Sequence, residues 1–417
     1  MIIKHTSPIL TRTLATAAVV STLATAPAKA QSYYEFEIIA REGDTVGGLE
    51  VSGISAALIN ENGDIAFSGS SGSRSSRVSA VWSTTDVLLV EGQSLGGVTL
   101  PDFSQSTFAF NDAGQAAVAS DGFGLDGVFT STGTAITAGS DVGGNIISGN
   151  FDRNPALADD GTLFFTADVG TTTTVFRGTD VLAQEGDVIG GVTLTDIGSA
   201  NTDGVFGIDG AGNAVFFNNL GFGAPGPTAV VSTAGFAIEE DSPFPSGPLA
   251  GQNVDLITGP SFGLGVNTQG DVAFRAIVDG VRGIYTQDGL LIANGMIDGI
   301  DGAFFGATDL NDNGSFVSFF EDSVVFNDAI VLDGQILITE NDTIEGFDID
   351  FLTGFGGLDL NNQGDFVFTP VLFDPNTDEF FSAVVRATLI PEPTSLALLG
   401  LGGLLLTRRR PSVRVNA

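Results

Sequence analysis

Asn60-Glu61-Asn62-Gly63-Asp64-Ile65-Ala66-Phe67 recurs as Asn267-Thr268-Gln269-Gly270-Asp271-Val272-Ala273-Phe274, and the fold follows from that recurrence. Looser copies start at Asn111, Asn311 and Asn361, and degenerate ones at Ala158 and Asp209. The fourth-place glycine falls at 63, 114, 161, 212, 270, 314 and 364, which makes seven units spaced 44 to 58 residues apart. Asn first and Gly fourth is a type I turn preference. The Asn side chain caps the turn, and Gly accepts the left-handed backbone that closes a hairpin with a bulge. The x-Ile-x-Phe alternation that follows predicts a strand with one buried face.

A second marker runs in phase. Ile38 to Asp44 ends in Glu42-Gly43-Asp44 and is followed by Gly47-Gly48; Leu88 to Gly92 leads to Gly96-Gly97, and Leu182 to Asp187 to Gly190-Gly191. Weaker copies lie near Ala138, Ile238, Ile292 and Ile338. Each marker brackets a tight turn, and each unit reads as about four short strands, in the first case Asp64 to Ser68, Val78 to Ser83, Val87 to Val90 and Val98 to Leu100. No segment from 31 to 390 carries a helical period. Four-strand units of this length predict an all-β fold, a seven-bladed β-propeller. The body opens on the second marker, Phe36 to Gly48, and closes on a first-marker unit plus the strand Phe381 to Thr388, so the termini are expected to share one blade. An open β-solenoid would need capping repeats at both ends. The repeats resemble the NxxGxxAF tandem repeat of surface proteins. The resemblance implies location and architecture, and no activity.

The two ends carry sorting information. Lys4 and Arg12, the uncharged run Leu14 to Ala24, and the small residues Ala28 and Ala30 read as a signal peptide over residues 1–30, cleaved before Gln31. Residues 391–417 hold Pro391-Glu392-Pro393, an apolar run from Ser395 to Leu406, and Arg408-Arg409-Arg410. Prolines stop a helix, leucines enter lipid, and arginines stay on the cytoplasmic side. The run is short against the roughly 20 residues of a full span, which suits a transient membrane anchor. This tail resembles the PEP-CTERM sorting signal. That resemblance implies recognition of Pro391, Glu392 and Pro393 by an exosortase-type processing enzyme, and a destination at the outer surface or extracellular matrix beside exopolysaccharide.

Composition narrows the chemistry. Residues 31–390 hold eight arginines, no lysine and 49 acids, a formal charge of −41, which repels nucleic acid and anionic surfaces. Solubility is the simple reading of that charge. With no cysteine, disulfides and thiol chemistry are excluded, and the fold must rest on burial, for which 33 phenylalanines supply material. His5, the one histidine, lies within the signal peptide, so histidine-based catalysis and ligation are excluded from the mature chain. A pair of carboxylates acting as a glycosidase or lyase is one alternative. Only Trp82, Tyr33, Tyr34 and Tyr285 offer a sugar platform beyond phenylalanine.

Calcium is the other alternative. Asp309-Leu310-Asn311-Asp312-Asn313-Gly314 fits the first half of a calcium loop, with Asp309, Asn311 and Asn313 as ligands, although the twelfth place is Phe320. Asp359 to Gly364 is a poorer echo, and Leu58, Ala109 and Gly265 occupy the first ligand place elsewhere. Arg275 and Arg282, like Arg74 and Arg77, read as partners of nearby carboxylates or as contacts for an acidic saccharide. Irregular insertions run from Gly221 to Pro227 and from Asp241 to Gly251, where a specialised blade would meet a partner. Together these observations predict a non-catalytic, exported structural or binding propeller, with a calcium-dependent polysaccharide binder and a carboxylate glycosidase as alternatives.

Overall fold

The computed structural model describes residues 33–390 except 74, 104, 106, 121–124, 152–153, 198–206, 219–225, 246, 258–263, 298–299, 323–327 and 353–356. The signal peptide with Ala28 and Ala30, and the tail with Pro391, Glu392, Pro393, Arg408, Arg409 and Arg410, lie outside the described residues. Strands dominate what is described, and the one helical element there is the 3-10 turn Gly247–Leu249. Among the described residues no helix is long and apolar enough to cross a membrane.

The repeated turn works as its residue types require. Asn60 N donates to Asp64 O at 3.0 Å and Gly63 N to Asn60 O at 2.9 Å, which closes the hairpin between Gly53–Ile59 and Ile65–Ser71. Gly63 has a φ of 80°, and the fourth-place glycine is in the same left-handed region in the other six units. Val78–Ser83 and Val87–Val90 complete this first sheet as an antiparallel meander. Val98–Thr99, expected as its fourth strand, instead pairs with Ser94–Leu95 in a separate hairpin. The true first strand precedes the Asn turn, where Ile54 to Ile59 is too uniformly apolar to show a period of two.

Seven sheets of four or more strands occur among the described residues, with three two-stranded hairpins besides. Their second strands are buried on both faces, as in Ile65–Ser71 and Ala116–Ser120, where alternation predicted one buried face. The reason is stacking. Val81 and Leu89 of the first sheet pack on Val118 and Phe129 of the second. The series runs on until Ile330 and Leu332 of the sixth sheet meet Phe366 and Val385 of the seventh. Val367 and Val384 of the seventh then pack on Phe67 and Trp82 of the first, with Ala40 from the start of the body. Sheets that stack face to face and return to the first form a β-propeller arrangement.

The return is made by the two ends of the described residues. Tyr33–Arg41 pairs with Glu379–Ile390 in the seventh sheet, and Tyr34 Oη donates to Gly364 O at 3.0 Å. The second marker reinforces each step. Gly47 and Gly48, at φ 58° and 85°, form a type I′ turn. A Cβ on Gly47 would come within 2.6 Å of Val87 N, so this hairpin lies flat on the outer strand of the first sheet.

Phe67 is fully buried and stacks on Trp82 with ring centroids 5.3 Å apart. Phe67→Ala is expected to cost about 3–5 kcal/mol in denaturant unfolding. Ile146→Ala, at a position 56% exposed, should cost less than about 0.5 kcal/mol.

Candidate functional site

The seven Asn-type turns converge on one cavity of about 1130 Å³, which the first strands of all seven units line. Five of these turns are joined to the next unit by an asparagine side chain. Asn60 Nδ2 donates to Asn111 O at 3.1 Å, and Asn111 Nδ2 to Ala158 O at 2.8 Å. Asn267 Nδ2 donates to Asn311 O at 3.3 Å, Asn311 to Asn361 O at 3.0 Å, and Asn361 back to Asn60 O at 3.4 Å. The oxygen of the same amide accepts from its own turn, as when Asn311 Oδ1 takes Asn313 N and Ser315 N, each at 3.0 Å. A carboxylate can only accept. Asp209 accordingly keeps to its own turn, accepting from Ala211 N and Asn213 N.

A second set of links follows one residue later. Asp112 accepts from Glu61 N at 2.7 Å, Asp159 from Asp112 N at 3.1 Å, and Asp312 from Thr268 N at 2.8 Å. Glu61 joins the seventh unit to the first by accepting from Asn362 N at 2.8 Å. The cavity lining thereby includes Glu61, Asp112, Asp159, Asp160, Asp209, Asp309, Asp312 and Asp359 against one cation, Arg177. Burial, and then the charges of Asp112, Asp312 and Asp309, push the Glu61 carboxyl above its ordinary range, against the pull of the Asn362 amide. Burial also raises Asp112, beside Asp159 and Asp64. Asp160 is lowered, chiefly by its hydrogen bonds from Thr162.

The side chains expected as calcium ligands are each engaged by the protein itself. Asp309 Oδ2 accepts from Leu360 N at 2.8 Å, and its carboxyl, which burial raises to about 6, interacts with that of Asp359. Asn311 is committed to its own turn and to Asn361, and Asn313 Nδ2 donates to Asn362 O at 2.7 Å. Each side chain thus reaches the seventh unit. Among the described residues, no group of three or more acids, histidines or cysteines is placed to hold a metal ion.

Other expected contacts resolve into packing. Arg275 is buried, donates to Phe305 O, and is lowered to about 9 by burial and then by Arg282. Trp82 and Tyr285 are core residues, and burial raises Tyr34 to about 12. Phe244, inside the Asp241 to Gly251 insertion, is buried between the fourth and fifth sheets. Arg74 and most of the Gly221 to Pro227 insertion lie outside the described residues.

One role escaped the sequence reading. The glutamate of the second marker caps the third strand of a sheet. Glu91 accepts from Ser79 N, Glu185 from Thr173 N, Glu240 from Thr228 N and Glu340 from Asp328 N, always across a twelve-residue separation. That constant interval between a Glu and the start of an apolar strand is the signal that was available.

Asn311→Ala removes one donor and two accepted bonds at a buried position, and is expected to destabilise by about 1–3 kcal/mol in equilibrium unfolding. Asn311→Asp should recover the turn but not the bond to Asn361, and lie between wild type and Asn311→Ala.

No family model matches the chain, and no curated protein matches it. Among solved structures it is similar to a protein from Lactobacillus plantarum, at 12% identity and a TM-score of 0.35 over 81% of this chain and 97% of that one. It is also similar to the WD40 domain of SCAP from fission yeast, at 9% identity and a TM-score of 0.32 over 85% and 87%. A luciferin-regenerating enzyme aligns at 8% identity and a TM-score of 0.30 over 68% and 90%. Likenesses this distant bring no activity or ligand with them.

Proposed function

We propose that the protein is an exported, non-catalytic surface component, a seven-bladed propeller that serves as a structural or binding element of the extracellular matrix. The blade count rests on seven turns, seven sheets and a closed series of packing contacts among the described residues. The observation that carries the function is the use made of the polar groups at the cavity. Glu61, Asp112, Asp159, Asp309, Asp312 and Asp359 all accept backbone amides of a neighbouring unit. Groups so committed hold a scaffold together, and a carboxylate pinned by fixed donors is poorly suited to exchanging protons with a substrate.

Export, removal of residues 1–30, and handling of Pro391, Glu392 and Pro393 by an exosortase-type enzyme are part of this proposal, resting on the sequence of the two ends. The surrounding polysaccharide would be neutral rather than acidic, because the cavity lining holds eight acids and one arginine.

Three measurements test it. Mass spectrometry of the protein from a host with an exosortase-type enzyme should find Gln31 at the N-terminus and a shortened C-terminus. Replacing Pro391, Glu392 and Pro393 by alanine should leave the chain in the membrane fraction. Incubated with extracted matrix polysaccharide, the protein should sediment with the neutral fraction and release no new reducing ends. Sugar release that is lost in an Asp or Glu variant would overturn the non-catalytic reading.

A further inference from the structure

We propose that the outer end of the seventh sheet carries a glycan-binding platform, in which Phe351, Phe373 and Phe380 receive the flat faces of a neutral, equatorially substituted pyranose polymer and Asp348 and Asp350 accept its hydroxyls. The platform rests on the reading of the protein as a binder of neutral polysaccharide, and gives that binding a place.

Among the described residues, the most exposed aromatic side chains are Phe380 at 60% and Phe351 at 44%. Strand register puts both on one face. Phe373 stands directly cross-strand from Phe380, with ring centroids 4.9 Å apart, and Val371 stands cross-strand from both Phe351 and Ser382. Directly opposed residues share a face, as do residues two apart on one strand, so Phe351, Val371, Phe373 and Phe380 point the same way. A β-bulge makes this possible. Asp350 is the extra residue between Ile349 and Phe351, and it turns Phe351 out of the alternation that would send it to the core beside Ile349. On the opposite face Ile349, Leu352 and Leu372 are buried against the sixth sheet.

The repeat does not require rings here. The hairpin of Pro370–Asp374 and Glu379–Ile390 runs past Ser382, whose amide Glu42 caps, to pair Leu372 with Phe381, Phe373 with Phe380 and Asp374 with Glu379. The place of Phe380, two residues before the capped amide, is held by Arg77, Thr171 and Gly226 in the first, third and fourth units. Phe326, at that place in the sixth, lies outside the described residues.

The chemistry of the face selects its occupant. Asp348, directly opposite Phe373, and Asp350 are exposed carboxylates. A pyranose with equatorial substituents lays its C–H face on an aromatic ring while its hydroxyls donate at the edge, where a carboxylate can only accept. An acidic polymer is repelled by the same groups. Strand spacing and rise put the Cα atoms of Phe351 and Phe380 about 12 Å apart, roughly two or three sugar residues, on a face of about 10 by 7 Å. That is far short of the roughly 800 Å² a side that a stable protein partner or a second copy would bury.

The test uses the full-length chain with cellohexaose as the probe, beside the hexamers of galacturonic acid and of glucosamine. Titration calorimetry should show binding of cellohexaose that Phe380→Ala or Phe351→Ala weakens about tenfold, as loss of one stacked ring implies, and that Phe380→Trp retains. Both alanine variants remove exposed rings and should melt within a few degrees of the wild type. Equal affinity in the wild type and both alanine variants would overturn the platform, and so would no binding of cellohexaose or tighter binding of either charged hexamer. A dimer in sedimentation velocity that Phe380→Ala dissociates would assign the face to a second copy and overturn it too. Co-sedimentation with neutral matrix polysaccharide separates the platform from the reading it rests on. Sedimentation that both alanine variants share removes the platform and leaves that reading, whereas cellohexaose binding lost in Phe380→Ala without any sedimentation leaves the platform and removes the matrix.

Discussion

An amide side chain that donates to the next unit while accepting from its own turn is the interaction on which this molecule depends. A stack of sheets has little intrinsic preference for the angle between neighbours, because hydrophobic burial is non-directional. The hydrogen bonds from Asn60, Asn111, Asn267, Asn311 and Asn361 supply the missing direction at the narrow end of the stack. They are buried, so each replaces a desolvated orphan rather than competing with water. Asparagine is selected over aspartate for its donor, and over serine for its reach.

The acidity of the chain takes on a different meaning from the same viewpoint. Carboxylates here are largely acceptors for backbone amides that the sheets leave over. Glu91, Glu185, Glu240 and Glu340 cap third strands, and Asp44, Asp187 and Asp342 cap the turns that follow the outer strands. A propeller has many short strands and thus many strand ends, each with donors in need of a partner. Lysine and arginine offer only donors, which makes them redundant in this role, and the scarcity of both follows from the same need.

How much of this was legible depends on how local each feature is. The turn of Asn60 to Gly63, the type I′ pair Gly47-Gly48 and the strands Val78–Ser83 and Val87–Val90 could be read directly, because their backbone preferences lie within a few residues. Burial of Ile65–Ser71 on both faces could not, since a strand between two sheets loses its alternation only when both neighbours are known. In the second and fourth sheets the first strand was missed for a related reason: Ala109–Phe110 and Gly207–Ile208 are two residues long and too short to show a period. Asp309 was singled out within its own loop. Its actual partner, the Leu360 amide, is 51 residues away and becomes a neighbour only through the order of units.

The series of asparagines has one interruption. Ala158 has no amide to donate and Asp209 accepts within its own turn, so the steps from the third unit to the fourth and from the fourth to the fifth lack the asparagine link that the others have, and the first of them is joined instead by Arg177 Nη1 donating to Gly212 O at 3.5 Å. The fourth-to-fifth step keeps one main-chain bond, from Gly210 N to Thr268 O at 3.0 Å. Under load, that arc has fewer asparagine ties to resist bending than the side where the two ends of the described residues meet.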